Sequence, residues 1–309
     1  MRGIVYKTTG NSYLVKSVEE NKVYKCIARG KLRLLNIKHT NPISVGDYVQ
    51  FSKFQEKDKG EIMEIFPRKN YIIRKSVNLS KETHILASNI DQAILVITLK
   101  SPRTYYEFID RFLITSNAYQ IPTIIVFSKS DTYLKEELEE IEILRKIYTN
   151  LKINCLLISC HKKKDISKIF NLINNKTTLF SGNSGVGKST LINYLNPELN
   201  LKTQSVSKST DKGLHTTTFA QMYDIDKYTR VIDSPGIKGF GLVDIKKNEI
   251  YRYFPEFLEA SKKCRFKNCI HIDEPECEVK KRLASGEISN HRYESYINLI
   301  HDKKQLDNK

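Results

Sequence analysis

Hydrophobic and polar residues alternate over short stretches in the first 66 residues of the chain. Five such stretches are rich in Val, Ile, Tyr and Phe: 3–7, 12–17, 22–28, 47–51 and 61–66. Turn-forming residues separate them, as in Thr9-Gly10-Asn11 and Lys57-Asp58-Lys59-Gly60. Short strands at this spacing predict a small β-barrel of the OB or SH3 type.

The hydrophobic pattern changes after a polar connection at 67–90. Continuous apolar runs follow at 93–98, 123–127, 155–158, 178–180 and 230–232, and such runs are typical of strands buried on both faces of a parallel sheet. Helical patterns lie between them at 105–118, 135–149, 166–173 and 189–195. Alternating strands and helices predict a doubly wound α/β domain over 91–245. The tail from 246 onward is polar and helical, and 287–299 with the lysine-rich end is predicted to be a solvated helix or a fraying terminus.

The charge of the chain favours a polyanionic partner. Lys and Arg number 51 against 35 Asp and Glu, a net charge of +16. Residues 1–80 alone hold 16 Lys and Arg against 7 Asp and Glu. Such an excess suits nucleic acid because phosphate contacts release counterions, although a lysine-rich solvated surface is the plain alternative. No apolar run approaches the ~20 residues of a membrane span and no signal peptide is evident, so we expect a cytoplasmic monomer with no membrane contact.

A phosphate-binding loop is the clearest chemical motif. It consists of Gly182, Asn183, Ser184, Gly185, Val186, Gly187, Lys188, Ser189 and Thr190. The pattern G-x-x-x-x-G-K-S lies between a predicted strand and a predicted helix, which is the context that the motif requires. The glycines let backbone N–H groups face a phosphate, and the helix N-terminus adds positive potential. We expect Lys188 to reach the β- and γ-phosphates and Ser189 to bind Mg²⁺.

Two later segments predict a nucleotide switch. Asp233-Ser234-Pro235-Gly236 follows a strand, where Asp233 can hold the Mg²⁺ shell and the Gly236 N–H can meet the γ-phosphate. Between this segment and the phosphate loop lies Gly213-Leu214-His215-Thr216-Thr217-Thr218, from which a hydroxyl can complete the Mg²⁺ shell. We assign this role to Thr217, although the sequence does not separate it from the neighbouring threonines.

The base loop is predicted upstream of the phosphate loop. GTPases select guanine with an Asn/Thr-Lys-x-Asp loop, and the matching segment is Ser128, Lys129, Ser130 and Asp131. Asp131 would accept from guanine N1 and N2, and Ser128 stands where Asn is usual. Ile158-Ser159-Cys160 resembles the loop that backs the base. With the base loop before the phosphate loop, the chain order is that of a circularly permuted GTPase.

A cysteine cluster near the C-terminus predicts one structural zinc ion. Cys264, Cys269, His271 and Cys277 offer three thiolates and an imidazole within fourteen residues. This donor set fits a closed tetrahedral site, which would stabilise a polar tail that lacks a large core of its own. Three free cysteines beside a surface histidine are the alternative.

These motifs, in this order, resemble the ribosome small subunit-dependent GTPase A family, and the resemblance covers nearly the whole chain. It implies an OB-fold RNA-binding domain at 1–68, a linker at 69–90, a permuted GTPase domain at 91–245 and a helical zinc-binding domain at 246–309. It also implies GTP hydrolysis stimulated by the 30S subunit, contact with 16S rRNA and a late role in subunit maturation.

The sequence does not decide which residue positions the attacking water. Ras-like proteins place Gln after the Asp-x-x-Gly glycine, where this chain has Ile237. His215 resembles the histidine implicated in the family, and a role in loop packing is the alternative. Two other function classes stay in view: an ATP-dependent enzyme, against which Asp131 argues, and a nucleotide-regulated RNA-binding module with negligible hydrolysis.

Overall fold

The computed structural model describes residues 1–30, 32, 42–75, 83–202, 220–234 and 245–301. Among these residues, no helix is long and apolar enough to cross a bilayer. Thirteen strands and seven α-helices are described, with 3-10 turns at Pro197–Leu199 and Lys247–Tyr253.

The N-terminal strands close into a five-stranded barrel, as the alternating pattern predicts. The strands are β1 Arg2–Thr9, β2 Ser12–Ser17, β3 Val23–Ala28, β4 Tyr48–Lys53 and β5 Lys59–Ile65. They pair in the order β1-β2-β3-β5-β4, and β4 returns to β1. Alternate side chains point inward because successive Cβ atoms face opposite sides of a strand, and Val15, Phe51 and Ile62 fill the barrel interior.

A parallel sheet forms the centre of the GTPase domain. Its strands are β8 Gln92–Ile97, β9 Thr123–Phe127, β10 Asn154–Leu157, β11 Thr177–Ser181 and β13 Arg230–Asp233, with antiparallel β12 Gln221–Asp224 at one side. The order is β10-β9-β8-β11-β13-β12. Four helices cover its faces: α1 Tyr106–Ala118, α2 Lys135–Asn150, α3 Lys163–Ile173 and α4 Lys188–Leu195. The doubly wound prediction is confirmed, with boundaries within three residues for all four helices.

Barrel and GTPase sheet are joined through β1, which pairs with β12 at Lys7 and Gln221. The join is also apolar, since Ile4 and Tyr6 of the barrel belong to one buried cluster with Met222 and Leu95 of the GTPase sheet. The two domains therefore share a sheet and part of a core.

The segment at 67–90 differs from the predicted polar connection. It contains a two-stranded antiparallel hairpin, β6 Tyr71–Lys75 and β7 Thr83–Ser88. Arg68 is tied to the barrel, because its Nε and Nη2 donate to the two carboxylate oxygens of buried Asp47 at 2.6 and 2.7 Å. The Ser88 hydroxyl donates to the same carboxylate at 2.6 Å. The described residues of this segment are thus packed against the rest of the fold.

Three helices follow at the C-terminus: α5 Pro255–Ser261, α6 Glu278–Ala284 and α7 Asn290–His301. The prediction of a solvated helix at 287–299 was wrong, because α7 buries Tyr296, Leu299 and Ile300 against Phe254 and Phe257. Arg292 on the same face pairs with partners on α1 and α5, which explains how a polar sequence forms a buried helix.

Candidate functional site

The sheet order brings the predicted nucleotide loops to one edge. The carboxyl ends of parallel strands meet at the same edge of a sheet, and ligands of open α/β sheets bind there. Asp131, Ser159 and the phosphate loop follow β9, β10 and β11 respectively, and Asp233 is the last residue of β13. The edge therefore combines elements that lie about a hundred residues apart in the chain.

Backbone geometry in the phosphate loop favours glycine, as Gly182 and Gly187 show. Gly182 has φ of 144°, and a Cβ there would lie 2.1 Å from the Val96 carbonyl oxygen. Gly187 has φ of 100° and forms the left-handed N-cap of α4. Both conformations are open to glycine and strained for other residues. Ser189 and Thr190 follow in the first turn of α4, at the positive end of the helix.

Lys188 and Asp233 form the charged centre of the phosphate site. The Lys188 Nζ donates to the carbonyl oxygens of Gly182 and Asn183 at 2.7 and 2.8 Å, so that the loop itself holds the ammonium group. Burial lowers the pKa of Lys188, which the nearby Asp233 partly offsets. Burial raises the pKa of Asp233 to about 6, against the opposing effect of Lys188. The low polarity around both groups strengthens their interaction with a bound phosphate or cation.

Asp233 fits a Mg²⁺ shell. Its Oδ1 is buried and has no hydrogen-bond partner among the residues that the structure describes. A buried carboxylate oxygen without a donor is an unfavourable arrangement unless a ligand completes it. The next residue holds the segment in place, because the Ser234 hydroxyl donates to the Phe180 carbonyl at 3.0 Å.

Ser128 connects the base loop to the phosphate loop. Its side chain is buried, and its hydroxyl lies 2.6 Å from the Val186 carbonyl and 3.2 Å from the Ile97 carbonyl. The short hydrogen bond joins residues 58 positions apart. Ser128 therefore ties the two loops together, and its hydroxyl is engaged with backbone carbonyls.

Asp131 is the exposed acceptor of the base loop. A hydrogen bond from the Ser159 hydroxyl lowers the pKa of Asp131, and His161 and Lys162 act in the same direction. An ionised carboxylate is the form that accepts two N–H donors from guanine. The Ser130 N–H donates to the Ile158 carbonyl at 2.9 Å, so the two predicted loops are adjacent. The sequence places Ser159 in the loop that backs the base, but it does not predict the hydrogen bond to Asp131.

Lys129 and Cys160 complete this corner of the site. The Lys129 Nζ donates to the Ser101 carbonyl at 2.7 Å, and burial lowers the pKa of the ammonium group. Burial raises the pKa of the Cys160 thiol to about 11, so this cysteine stays neutral beside the base loop. A neutral, half-buried wall is suited to one face of a purine ring.

Several predicted switch residues lie outside the described residues. They are Gly213, His215, Thr216, Thr217 and Thr218 of the first segment, and Gly236 and Ile237 of the second. Their roles stay predictions.

The predicted zinc ligands converge on one point. The Sγ atoms of Cys264, Cys269 and Cys277 and the Nδ1 of His271 all lie within 4.8 Å of one another. The three sulfurs lie 3.7, 3.3 and 3.4 Å from that nitrogen. Burial raises the pKa of Cys269, which neighbouring thiols raise further, so a cation is needed to hold the thiolate form. The donor set and its closure fit a structural zinc site.

Aromatic side chains and backbone hydrogen bonds surround this cluster. The His271 ring lies edge-on to Tyr251, with ring centroids 4.9 Å apart. Tyr293 donates to the His271 carbonyl at 2.8 Å, and Tyr296 donates to the Ile270 carbonyl at 2.6 Å. Both tyrosines lie on α7, so the last helix fixes the loop that carries the ligands.

Comparison with known proteins gives a consistent result across the chain. A family model described as RsgA GTPase matches residues 65–243, and a model of the RsgA N-terminal domain matches residues 2–62. A protein of Christiangramia forsetii named "Small ribosomal subunit biogenesis GTPase RsgA" is 50% identical over 302 residues, which cover 97% of this chain and 96% of the relative. A protein of the same name from Bacteroides fragilis is 45% identical, with 99% and 98% coverage.

Solved structures agree with these relatives. YjeQ from Thermotoga maritima is 34% identical, with a TM-score of 0.77 and coverage of 97% of both chains. YloQ, described as a circularly permuted GTPase, is 29% identical, with a TM-score of 0.70 and coverage of 97% of this chain and 93% of its own.

Proposed function

Because this chain belongs to the RsgA GTPase family, we propose that it binds the 30S ribosomal subunit through 16S rRNA, assists late subunit maturation, and hydrolyses GTP faster on the subunit. One observation carries the proposal. The phosphate loop, the Asp131 loop and Asp233 meet at one sheet edge in permuted order, on a chain whose N-terminal barrel is basic.

The proposed nucleotide roles are supported by the geometry of the described loops and, for Thr217 and Gly236, by the sequence alone. Residues 182–190 enclose the phosphates with backbone N–H groups, and Lys188 neutralises the β- and γ-phosphates. Asp131 accepts from guanine N1 and N2, and Ser128, Lys129 and Ser130 precede it in the same loop. Ser189, Thr217 and Asp233 would hold Mg²⁺, which would supply charge neutralisation at the phosphates when bound. Gly236 would contact the γ-phosphate, and GDP remains after hydrolysis.

The remaining properties concern partners and location. The net charge of +16 suits rRNA phosphates, and the C-terminal cluster would hold one structural zinc ion. We propose that the protein acts as a monomer in the cytoplasm, where the small subunit is assembled, without membrane contact.

The decisive measurement is GTP turnover by the purified chain with 30S subunits, with 50S subunits and with neither. We expect stimulation by 30S subunits alone, and no comparable turnover of ATP. Equal turnover in the three conditions would contradict the proposed partner. Negligible turnover in all three, with RNA binding retained, would favour a nucleotide-regulated RNA-binding module.

His215 is the residue that we propose positions the attacking water, because Ile237 cannot hydrogen-bond to it. His215→Ala should then lower 30S-stimulated turnover by about 100-fold or more while GTP affinity is retained, in keeping with positioned proton transfer. His291→Ala is the control, since this histidine is exposed on α7. Full stimulated turnover in His215→Ala would exclude the role.

A further inference from the structure

A cleft of about 520 Å³ lies at the junction between the barrel and the GTPase sheet. Its volume is within the range of roughly 300–1,000 Å³ that small-ligand sites occupy. β1, β2 and the β2–β3 turn form one wall, and β12, β13 and the turn between them form the other. Residues that define it include Tyr6, Lys16, Asn21, Asp224, Tyr228 and Arg230. The cleft is separate from the nucleotide edge, because it adjoins the opposite end of β13.

The floor of the cleft is a fixed polar network centred on Asp224. The Tyr6 hydroxyl donates to Asp224 Oδ1 at 2.6 Å, and the Lys16 Nζ donates to Oδ2 at 2.6 Å. The Arg230 Nε lies 3.5 Å from the same carboxylate and donates to the Tyr6 hydroxyl at 3.2 Å. Two hydrogen-bond donors and a neighbouring guanidinium thus surround one acid, and its charge is compensated.

Positive charge remains at the cleft after this compensation. Lys16, Lys227 and Arg230 face two acids, Asp224 and Asp226, so the lining carries a net charge of +1. The Asp226 carboxylate is engaged with its own turn, where it accepts from the N–H groups of Tyr228 and Thr229 at 2.8 Å. The Nη atoms of Arg230 have no hydrogen-bond partner in the described part of the chain, and a forked guanidinium suits phosphate oxygens.

An exposed aromatic ring stands at the rim. Tyr228 is 60% exposed, and its backbone is held by the Asp226 turn. The Lys227 Nζ lies 5.1 Å from the centre of the Tyr228 ring. An exposed ring on a held backbone, with a cation beside it, offers a stacking face for a base and a charge for the adjoining phosphate. Asn21 on the opposite wall carries an amide that can read a base edge.

We propose that this cleft binds one unpaired nucleotide of single-stranded RNA, with the base stacked on Tyr228 and the phosphate near Arg230 and Lys227. Base-paired RNA does not fit, because a base must leave its stack to enter a cleft of this size. The inference rests on the proposed rRNA-binding function and assigns part of that binding to the junction between the two domains.

The test is binding of a fluorescein-labelled uridine decamer, measured by fluorescence anisotropy at one fixed salt concentration. Tyr228→Ala should bind about tenfold more weakly, the loss expected when one stacking ring is removed. Tyr228→Phe keeps the ring and should bind as the unmodified chain does. Tyr105→Ala is the matched control, because Tyr105 is 69% exposed and has Arg103 5.8 Å from its ring centre, on a different surface.

A decamer that carries 4-thiouridine gives an independent readout. Its photoadduct should map to peptides that contain Tyr228 or Asn21. Equal affinity of Tyr228→Ala and the unmodified chain, an adduct mapped elsewhere, or no binding of the decamer at all would each overturn the inference. Stimulation of GTP turnover by 30S subunits is measured in parallel. If 30S subunits stimulate turnover but the decamer does not bind, only the nucleotide-binding role of the cleft is overturned. If the decamer binds but turnover is not stimulated, the result counts against the proposed function and supports the nucleotide-binding role of the cleft.

Discussion

At the scale of single residues, the phosphate site combines groups that are costly to bury. Lys188 and Asp233 are both largely removed from water, and burial disfavours the charged form of each. Bound nucleotide and Mg²⁺ would compensate these charges. The nucleotide-free protein is therefore less stable at this edge of the sheet, because its charged groups are already arranged to bind the ligand.

Replacement of Asp233 should show this cost. The pKa of Asp233 rises from 3.8 to about 6, so its ionised form destabilises the nucleotide-free fold by roughly 3 kcal/mol. For an acid whose pKa is raised by folding, this penalty is complete above about pH 6 and disappears as the pH falls towards 3.8. Asp233→Asn should raise the free energy of unfolding at pH 7.5, with about half the gain at pH 5.

Denaturant unfolding of the nucleotide-free protein at the two pH values is the measurement. Asp131→Asn is the opposite control, since the pKa of Asp131 is lowered and no stabilisation is expected. An Asp233→Asn variant no more stable than the unmodified chain at pH 7.5 would refute the idea.

Ser128 gives a second prediction at this scale. Ser128→Ala leaves the Val186 carbonyl without its donor, and an unsatisfied buried acceptor costs about 1–3 kcal/mol. We expect GTP and GDP affinities to fall together, by at least about fivefold, because the phosphate loop loses its tie to the base loop. Calorimetric titration measures both. Ser167→Ala, which also removes a hydroxyl bonded to a backbone carbonyl, should leave them unchanged, and equal values for the two variants would contradict the prediction.

Sequence predicts such residues only where the chemistry is local. The phosphate loop is predictable because its glycines and Lys188 lie close together in the sequence and their roles depend on backbone shape. The direction of the Ser128 hydroxyl depends on Val186, 58 residues away. The raised pKa of Asp233 likewise depends on burial that a single strand does not reveal.

At the scale of elements, apolar runs and helical periods predicted the barrel and the doubly wound sheet. The hairpin Tyr71–Lys75 and Thr83–Ser88 was missed because its strands are short and polar residues lie on both sides. The sequence predicts a solvated helix where α7 lies, because polar residues such as Arg292 and Tyr296 interrupt its apolar positions. Their partners lie on other elements, and tertiary pairing turns a polar face into a buried one.

The cysteine cluster permits a prediction about its own segment. We expect one zinc ion per chain, and Cys277→Ser should lose it, because three remaining donors leave the tetrahedral site open. Amide exchange in 264–301 should then rise, since the ligand loop supports α7 through Tyr293 and Tyr296. Metal analysis and hydrogen exchange measure both effects. Cys155→Ser should keep its zinc, and a Cys277→Ser variant with full zinc content would show that the ligand is misassigned.

At the scale of the whole molecule, a buried ion pair between Arg292 and Asp110 holds the C-terminal helices against the GTPase domain. The Arg292 Nη1 lies 2.5 Å from Asp110 Oδ1 on α1, and its Nε donates to Glu256 on α5 at 2.7 Å. Tyr148 on α2 donates to the same Asp110 oxygen at 2.9 Å. The guanidinium also lies 4.3 Å from the centre of the Phe254 ring. One side chain therefore joins helices of two domains.

Loss of this contact should be costly. Arg292→Met leaves the Asp110 carboxylate buried without its cation, and removal of one partner of such a pair costs roughly 3–5 kcal/mol. Addition of Asp110→Asn should recover part of the loss. Arg265→Met is the control, because its ion pair with Glu276 is more than half exposed and is expected to contribute about 1 kcal/mol or less. Unfolding midpoints in denaturant compare the variants. Similar midpoints for Arg292→Met and Arg265→Met would contradict the stabilising role of the Arg292–Asp110 pair.

The pair of Asp110 and Arg292 spans 182 residues of sequence, which sets an order of events during translation. α1 with Asp110 leaves the ribosome early, whereas Arg292, which pairs with Asp110, is synthesised only when the chain is almost complete. A chain that stops before α7 keeps this uncompensated acid and an uncovered apolar face, two marks by which chaperones and proteases select unfinished proteins. Full-length synthesis is thus a condition for a durable GTPase domain, although every nucleotide loop has been translated some fifty residues earlier.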